Sequence, residues 1–307
     1  MLEIKNLYKR YGKFLAVNNL SLSIAEGEIF GFVGPNGAGK TTTMKIVAGL
    51  LKASGGQVLI NGINVISHPG KLREKIGYMP DFFGVYDNLK VDEYMDFYAG
   101  MYKIPYKDRP AIIDNLLEIV DLSHKRDAYV DSLSRGMKQR LCLARSLIHD
   151  PDILILDEPA SGLDPRARIE MKEILKQLRT LGKTIIISSH ILPELAELCT
   201  SIGIIENGQM VACGKVNEIM QQLTHKRIIK IRLLDKMEEL IRILQEQPDI
   251  HNIFEKTDEV EFEFDGDDIR LSQLLKQIME KDVLLTAFHE KEGNLEDIFM
   301  KITKGGE

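Results

Sequence analysis

The chain has 307 residues, 44% of them hydrophobic, and 40 Lys and Arg against 46 Asp and Glu give a formal net charge of −6. That length accommodates two domains with cores of their own, needing neither disulfides nor structural metals, and an acidic balance without a concentrated basic stretch argues against a nucleic-acid partner. Cys142, Cys199 and Cys213 sit at no metal or redox spacing and read as buried small hydrophobes, while the start MLEIKNLYKRYG lacks a signal region and no run of about 18 apolar residues occurs.

In chain order, LEIKNLYKRYG and LSLSIAEGE alternate apolar and polar residues, the pattern of strands with one buried face. The apolar IFGFV then runs into GPNGAGKTT, residues 34 to 42, and on into TMKIVAGLL, whose apolar residues recur at helical spacing. A strand, a tight loop and a helix start are predicted. Such a loop turns several backbone N–H groups into one concavity at the positive end of a helix, which suits a phosphate chain. The pattern G-x-x-x-x-G-K-[ST] runs complete from Gly34 to Thr41. In it Lys40 supplies a point charge for the outer phosphates and the Thr41 hydroxyl a ligand for Mg²⁺. Gly34, Pro35, Asn36, Gly37, Ala38, Gly39, Lys40, Thr41 and Thr42 are therefore candidate nucleotide-binding residues. A glycine-rich turn without a ligand is the alternative.

QVLINGINV predicts a hairpin turning at Asn61-Gly62. From about 82 to 150 the period becomes helical, with Tyr94, Phe97, Tyr98 and Met101 read as core on one stretch and Ile112, Ile113, Leu116, Leu117 and Val120 on another. DILILDEP and KTIIISSH are short unbroken apolar runs, separated by a helical segment from Pro165 to Leu181, as for parallel strands buried on both faces. Asp157, Glu158 and His190 then fall at strand ends, where open α/β sheets collect their ligands. After about Thr224 the order strand, helix, two strands, helix, strand is the ferredoxin-like βαββαβ, followed by a closing helix in NLEDIFMKIT.

Taken in order, the phosphate loop, LSRGMKQR at 133 to 140, ILILDEP at 153 to 159, SGLD at 161 to 164 and SSH ending at His190 resemble the nucleotide-binding subunits of ATP-binding cassette transporters. The resemblance covers roughly the first 220 residues, and the C-terminal unit resembles the extension of export-type subunits. It implies an α/β P-loop NTPase cassette (1–222) with an antiparallel β subdomain and a helical subdomain (about 82–150), plus a ferredoxin-like α+β domain (225–307). The activity it implies is ATP hydrolysis that drives a separate membrane permease, holding this chain on the cytoplasmic face of the membrane.

Residue by residue, the resemblance makes Asp157 the Walker B carboxylate holding Mg²⁺ through water. Glu158, which is expected to point elsewhere in the pleat, orients and deprotonates the attacking water. His190 bonds the γ-phosphate; the other histidines are surface or packing residues. Tyr11 occupies the adenine-stacking place, with a core tyrosine as the alternative. Ser134 and Gly136 open a helix with Met137, Leu141, Ala144 and Leu147 on its apolar face, and the phosphate they meet belongs to a second nucleotide-binding subunit in a head-to-tail dimer, expected to be another copy of this chain. A plain serine cap is the alternative at Ser134. Asp164 matches the loop that communicates between the two sites.

Two departures stand out. IGYMPD places Asp81 where the family usually has a glutamine reaching Mg²⁺ and the attacking water; a cap or permease contact is the alternative. The signature reads S-R-G-M where S-G-G-Q is usual, so Arg135 brings positive charge near the phosphates. Two other functions compete. Cassette ATPases acting on nucleic acid or the ribosome carry two cassettes or a long inserted coiled coil, neither of which is present, and a small-molecule kinase has no use for LSRGMKQR.

Overall fold

In a computed structural model of the chain, which describes residues 1–291 apart from 66, 68, 82, 83, 85–87 and 224–226, the N-terminal alternation forms a long hairpin of β1 (Leu2–Tyr11) and β2 (Phe14–Ile24). Next come β3 (Ile29–Val33), α1 (Lys40–Val47), β4 (Gly55–Ile60) and β5 (Ile63–Asn64), with the predicted turn at Asn61-Gly62. After α2 (Pro69–Leu72) and β6 (Ile76–Met79), the helical region holds α3 (Val91–Met101), α4 (Arg109–Ile119) and α5 (Arg135–Leu147). The α/β pattern resumes with β7 (Ile153–Leu156), α6 (Pro165–Thr180), β8 (Thr184–Ser189), α7 (Leu192–Leu198), β9 (Ser201–Glu206), β10 (Gln209–Lys215) and α8 (Val216–Leu223).

Two sheets result. An antiparallel one runs β2-β1-β4-β5, and a six-stranded one runs β10-β9-β3-β8-β7-β6, parallel except for β10 at its edge. Every residue of β3, β7 and β8 is buried, which is why their sequences are unbroken apolar runs. One cluster joins the inner faces of both sheets through α1, with Leu2, Ile4, Leu20, Phe30, Phe32, Met44, Ile46, Val58 and Ile155 nearly inaccessible. Because β3, β8 and β7 are immediate neighbours, with Val33 level with Ser189 and Leu156 level with Ile187, the three chain segments leaving their carboxyl ends emerge side by side.

The helical region corrects one expectation. On α3 the inward arc is Val91, Tyr94, Met95 and Ala99, so Phe97 and Met101 fall on its flank, 43% and 64% exposed. The stripe of large side chains is offset from the buried face because small Ala99 and flexible Met95 fill the inner contact. On α4, Ile113, Leu116 and Leu117 are buried as read, as is Val120 just beyond it. Cys213 is likewise exposed, lying on the edge strand β10, whereas Cys142 and Cys199 are buried.

The chain divides into compact units at Met1–Val216 and Asn217–Glu307. In the second, β11 (Arg227–Leu233), α9 (Met237–Gln245), β12 (Ile250–Lys256), β13 (Glu259–Phe264), α10 (Asp268–Glu280) and β14 (Leu285–Lys291) follow in chain order. Its sheet runs β12-β13-β11-β14 with every neighbour antiparallel, the ferredoxin-like arrangement. Ile229, Ile231, Val260, Phe262 and Phe264 from the strands meet Leu240, Leu244, Leu274 and Ile278 from the helices in a core of its own. The helix expected in NLEDIFMKIT lies outside the described residues. Among the described residues no helix is long and apolar enough to cross a membrane.

Candidate active site

The loop after β3 is built to present donors. Gly39 stands at the N-cap of α1 with φ 106, and a Cβ there would come within 2.5 Å of Ala16 O, so only glycine fits. Neither a capping side chain nor an acidic residue occupies the first turn of α1, which leaves its positive end open to an anion. Lys40, 6% exposed, donates to Gly34 O at 2.6 Å and Pro35 O at 3.3 Å, and its ammonium lies 3.5 Å from Glu158 Oε1.

Asp157 and Glu158 leave β7 in different directions, but pleat alternation is not the cause. The strand has ended at Leu156, and Glu158 adopts a left-handed backbone, φ 50. That conformation costs about 1–2 kcal/mol for a residue with a Cβ. It is held by two hydrogen bonds, Glu158 N to Ser188 Oγ at 2.9 Å and Ser161 N to Glu158 O at 3.0 Å. The turn swings the carboxylate between Lys40 and His190, whose Nδ1 donates to Glu158 Oε2 at 2.9 Å. A ring that also donates to a phosphate oxygen through Nε2 must carry both protons.

Asp157, 1% exposed, accepts from Ser188 Oγ at 2.7 Å and Thr41 Oγ1 at 3.2 Å, both on Oδ1. Its Oδ2 is buried without a partner. An orphaned carboxylate oxygen beside a threonine hydroxyl fits a divalent cation. The donors there, Thr41 Oγ1 and the Asp157 carboxylate, are oxygens, which suits Mg²⁺, an ion that keeps waters and takes oxygens from substrate phosphates. Ser188 is the residue that sequence reasoning missed. It ties both acidic residues to β8, and its only signal was the SSH string itself.

A cleft of about 370 Å³ gathers Tyr11, Phe14, residues 35–42, Asp81, Glu158, Ser161 and His190. Tyr11 is 47% exposed, so it is no core residue and its ring is available for stacking, with Lys9 Nζ 4.9 Å from the ring centre. Asp81 is exposed at the cleft's edge. Burial, followed by the charges of Asp157 and Asp81, raises the pKa of Tyr78 and keeps its phenol protonated. Ser134 and Gly136 do not line this cleft. Ser134 caps α5, accepting from Met137 N at 3.3 Å, and Leu141, Ala144 and Leu147 face inward as expected while Met137 is half-buried. Asp164 caps α6, accepting from Ala167 N at 2.9 Å.

Phosphate loop, buried aspartate, adjacent glutamate and histidine, all at the carboxyl ends of neighbouring parallel strands, define a P-loop ATPase cassette. Residues 17–161 match the family model described as ABC transporter, and residues 214–303 match the ATP-binding protein DrrA1-3-like, C-terminal domain. The linearmycin resistance ATP-binding protein LnrL of Bacillus subtilis is 31% identical over 99% of this chain and 98% of that protein. Nod factor export ATP-binding protein I of Ralstonia nicotianae is 34% identical over 99% of this chain and 94% of that one. Among solved structures, an ATP-binding subunit of an ABC transporter aligns with TM-score 0.65 at 29% identity, covering 72% of this chain and 92% of the other. A dimeric post-hydrolysis cassette bound to ADP and Pi aligns at 0.64 and 26% identity, covering 70% and 99%. The chain belongs to the ATP-binding subunits of ABC transporters, which bind ATP and hydrolyse it to power transport.

Proposed function

We propose that this chain is the motor of an export transporter, in which two copies close head to tail on ATP and drive a separate membrane permease from the cytoplasmic face of the membrane. One observation carries the reading: Lys40, Thr41, Glu158 and His190 line one cleft, with Asp157 hydrogen-bonded to Thr41, whereas Ser134 and Gly136 do not line it, so each copy is read as owning half of each site. The names of the export and resistance relatives support the direction of transport.

In the working cycle the loop N–H groups and Lys40 bind the polyphosphate, and Tyr11 stacks on the adenine. Thr41 and Asp157 would hold Mg²⁺, which neutralises charge developing on the β- and γ-phosphates. Glu158 orients a water and takes its proton as the water oxygen bonds to the γ-phosphorus and the bond to the β–γ bridging oxygen breaks. His190 keeps the Glu158 carboxylate in place. Ser134 and the Gly136 amide, at the positive end of α5, meet the γ-phosphate held by the other copy.

The permease faces the helical region, around residues 82 to 105. There Phe97, Met101 and Tyr102 are 43%, 64% and 40% exposed, an apolar stripe on α3 and its end that suits a partner helix. Turnover of the chain purified with a permease of about six spans, in lipid vesicles, should exceed that of the chain alone. Equal rates, with the complex intact, would contradict the motor reading.

Asp81 is read as a metal-site neighbour. Its replacement by glutamine removes a negative charge whose attraction for a divalent ion is worth about 2 kcal/mol at 4 Å in water, so the Mg²⁺ concentration giving half-maximal turnover should move by up to about thirtyfold, less what its repulsion of the polyphosphate offsets. Apo melting should hardly change, because the side chain is exposed. Superimposable Mg²⁺ titrations for wild type and Asp81→Gln would leave Asp81 only a structural or coupling role.

A further inference from the structure

The chain that leaves Glu158 is gripped by α5 through two side chains with no part in the chemistry above. Gln139, 2% exposed, donates from Nε2 to Ser161 O at 3.2 Å. One turn earlier, at the first position of α5, Arg135 lies across Gly162. A Cβ on that glycine would come within 2.4 Å of the guanidinium carbon and Nη1 and 2.6 Å of Nη2. Gly162 is also left-handed, φ +66, so conformation and space both favour glycine.

Helix stability does not explain the arginine. A cation in the first turn opposes the helix dipole and is unfavourable there. Nor does an ion pair explain it, since Arg135 has no hydrogen bond or carboxylate partner among the described residues. What the side chain does have is a seat on Gly162, and from there the connection to the reacting glutamate is short. Ser161 N donates to Glu158 O at 3.0 Å, and the Glu158 carboxylate lies against Lys40 and His190.

We propose that Arg135 is a positioning residue. By resting on Gly162 it clamps the helix headed by Ser134 to the loop that carries Glu158. Engagement of Ser134 by the nucleotide of the other copy is thereby transmitted to the glutamate of the same chain. The glycine at 162 and the arginine at 135 form one device, with the absent side chain making room for the long one. This rests on the dimeric-motor reading of the site.

The test is a mutant cycle on the purified full chain, measured by ATP titration of steady-state hydrolysis. Arg135→Gly should lower kcat about tenfold, a coupling of ordinary size for side chains in contact, with KM for ATP held within about twofold. Gly162→Ala puts a methyl group where the guanidinium sits and should lower kcat similarly. The double variant should be no slower than the slower single variant, and Arg135→Lys, lacking the flat guanidinium, should recover only part of the loss. Losses that add in the double variant would overturn the proposal, because strain at residue 162 and the arginine would then act separately. So would a raised KM with kcat retained, the signature of Arg135 binding phosphate directly. A wild-type chain without turnover sinks the motor reading and this proposal with it, whereas an active wild type with additive losses sinks the proposal alone.

Discussion

Lys40→Ala is expected to reduce turnover by about 10²–10³-fold, the size of loss met when one preorganised donor aimed at developing charge is removed. The ammonium is already at the base of the cleft, 6% exposed and anchored on Gly34 O and Pro35 O, so it meets a phosphate chain with little rearrangement. Its removal also leaves Glu158 facing the incoming polyphosphate without the neighbouring positive charge at 3.5 Å. Both effects weaken ATP binding. Titration with a fluorescent ATP analogue, read beside the apo melting temperature, separates lost phosphate binding from unfolding. Wild-type affinity and turnover in a folded Lys40→Ala variant would contradict the assignment of this loop.

Glu158→Gln should behave differently, losing hydrolysis while keeping nucleotide. The amide retains the length of the side chain and an acceptor for His190 Nδ1, and the left-handed turn with its bonds to Ser188 and Ser161 is backbone geometry that the change does not touch. What disappears is the group that takes the proton from water, a loss of about 10²–10⁴-fold in kcat. With one negative charge fewer beside the polyphosphate, ATP affinity should be equal to or tighter than that of wild type. Phosphate release within about threefold of wild type would remove Glu158 from the role of base.

Much of this site could be read from the sequence, and the residues say why. Gly34 to Thr42 is a contiguous motif whose chemistry is local, and the buried strands before Asp157 and His190 are unbroken apolar runs that permit only a few placements. The separate C-terminal order was equally readable, because its two periods alternate cleanly. What escaped depends on contacts across the sequence. Ser188 matters because β7 and β8 lie side by side with Leu156 level with Ile187, and nothing in the string SSH announces that pairing. The left-handed Glu158 is a turn imposed by tertiary hydrogen bonds, so strand alternation gave the right divergence for the wrong reason. Phe97 and Met101 share helical spacing with Tyr94, yet spacing alone does not say which arc of α3 meets α4 and α5.

The most direct measurement is the mass of the Glu158→Gln chain in solution, by light scattering, with and without Mg-ATP. Half-sites that complete each other across two copies require the 34.8 kDa species to double when ATP is added and to revert when the nucleotide is removed. A mass that stays at 34.8 kDa while the protein is saturated with Mg-ATP would contradict the head-to-tail motor.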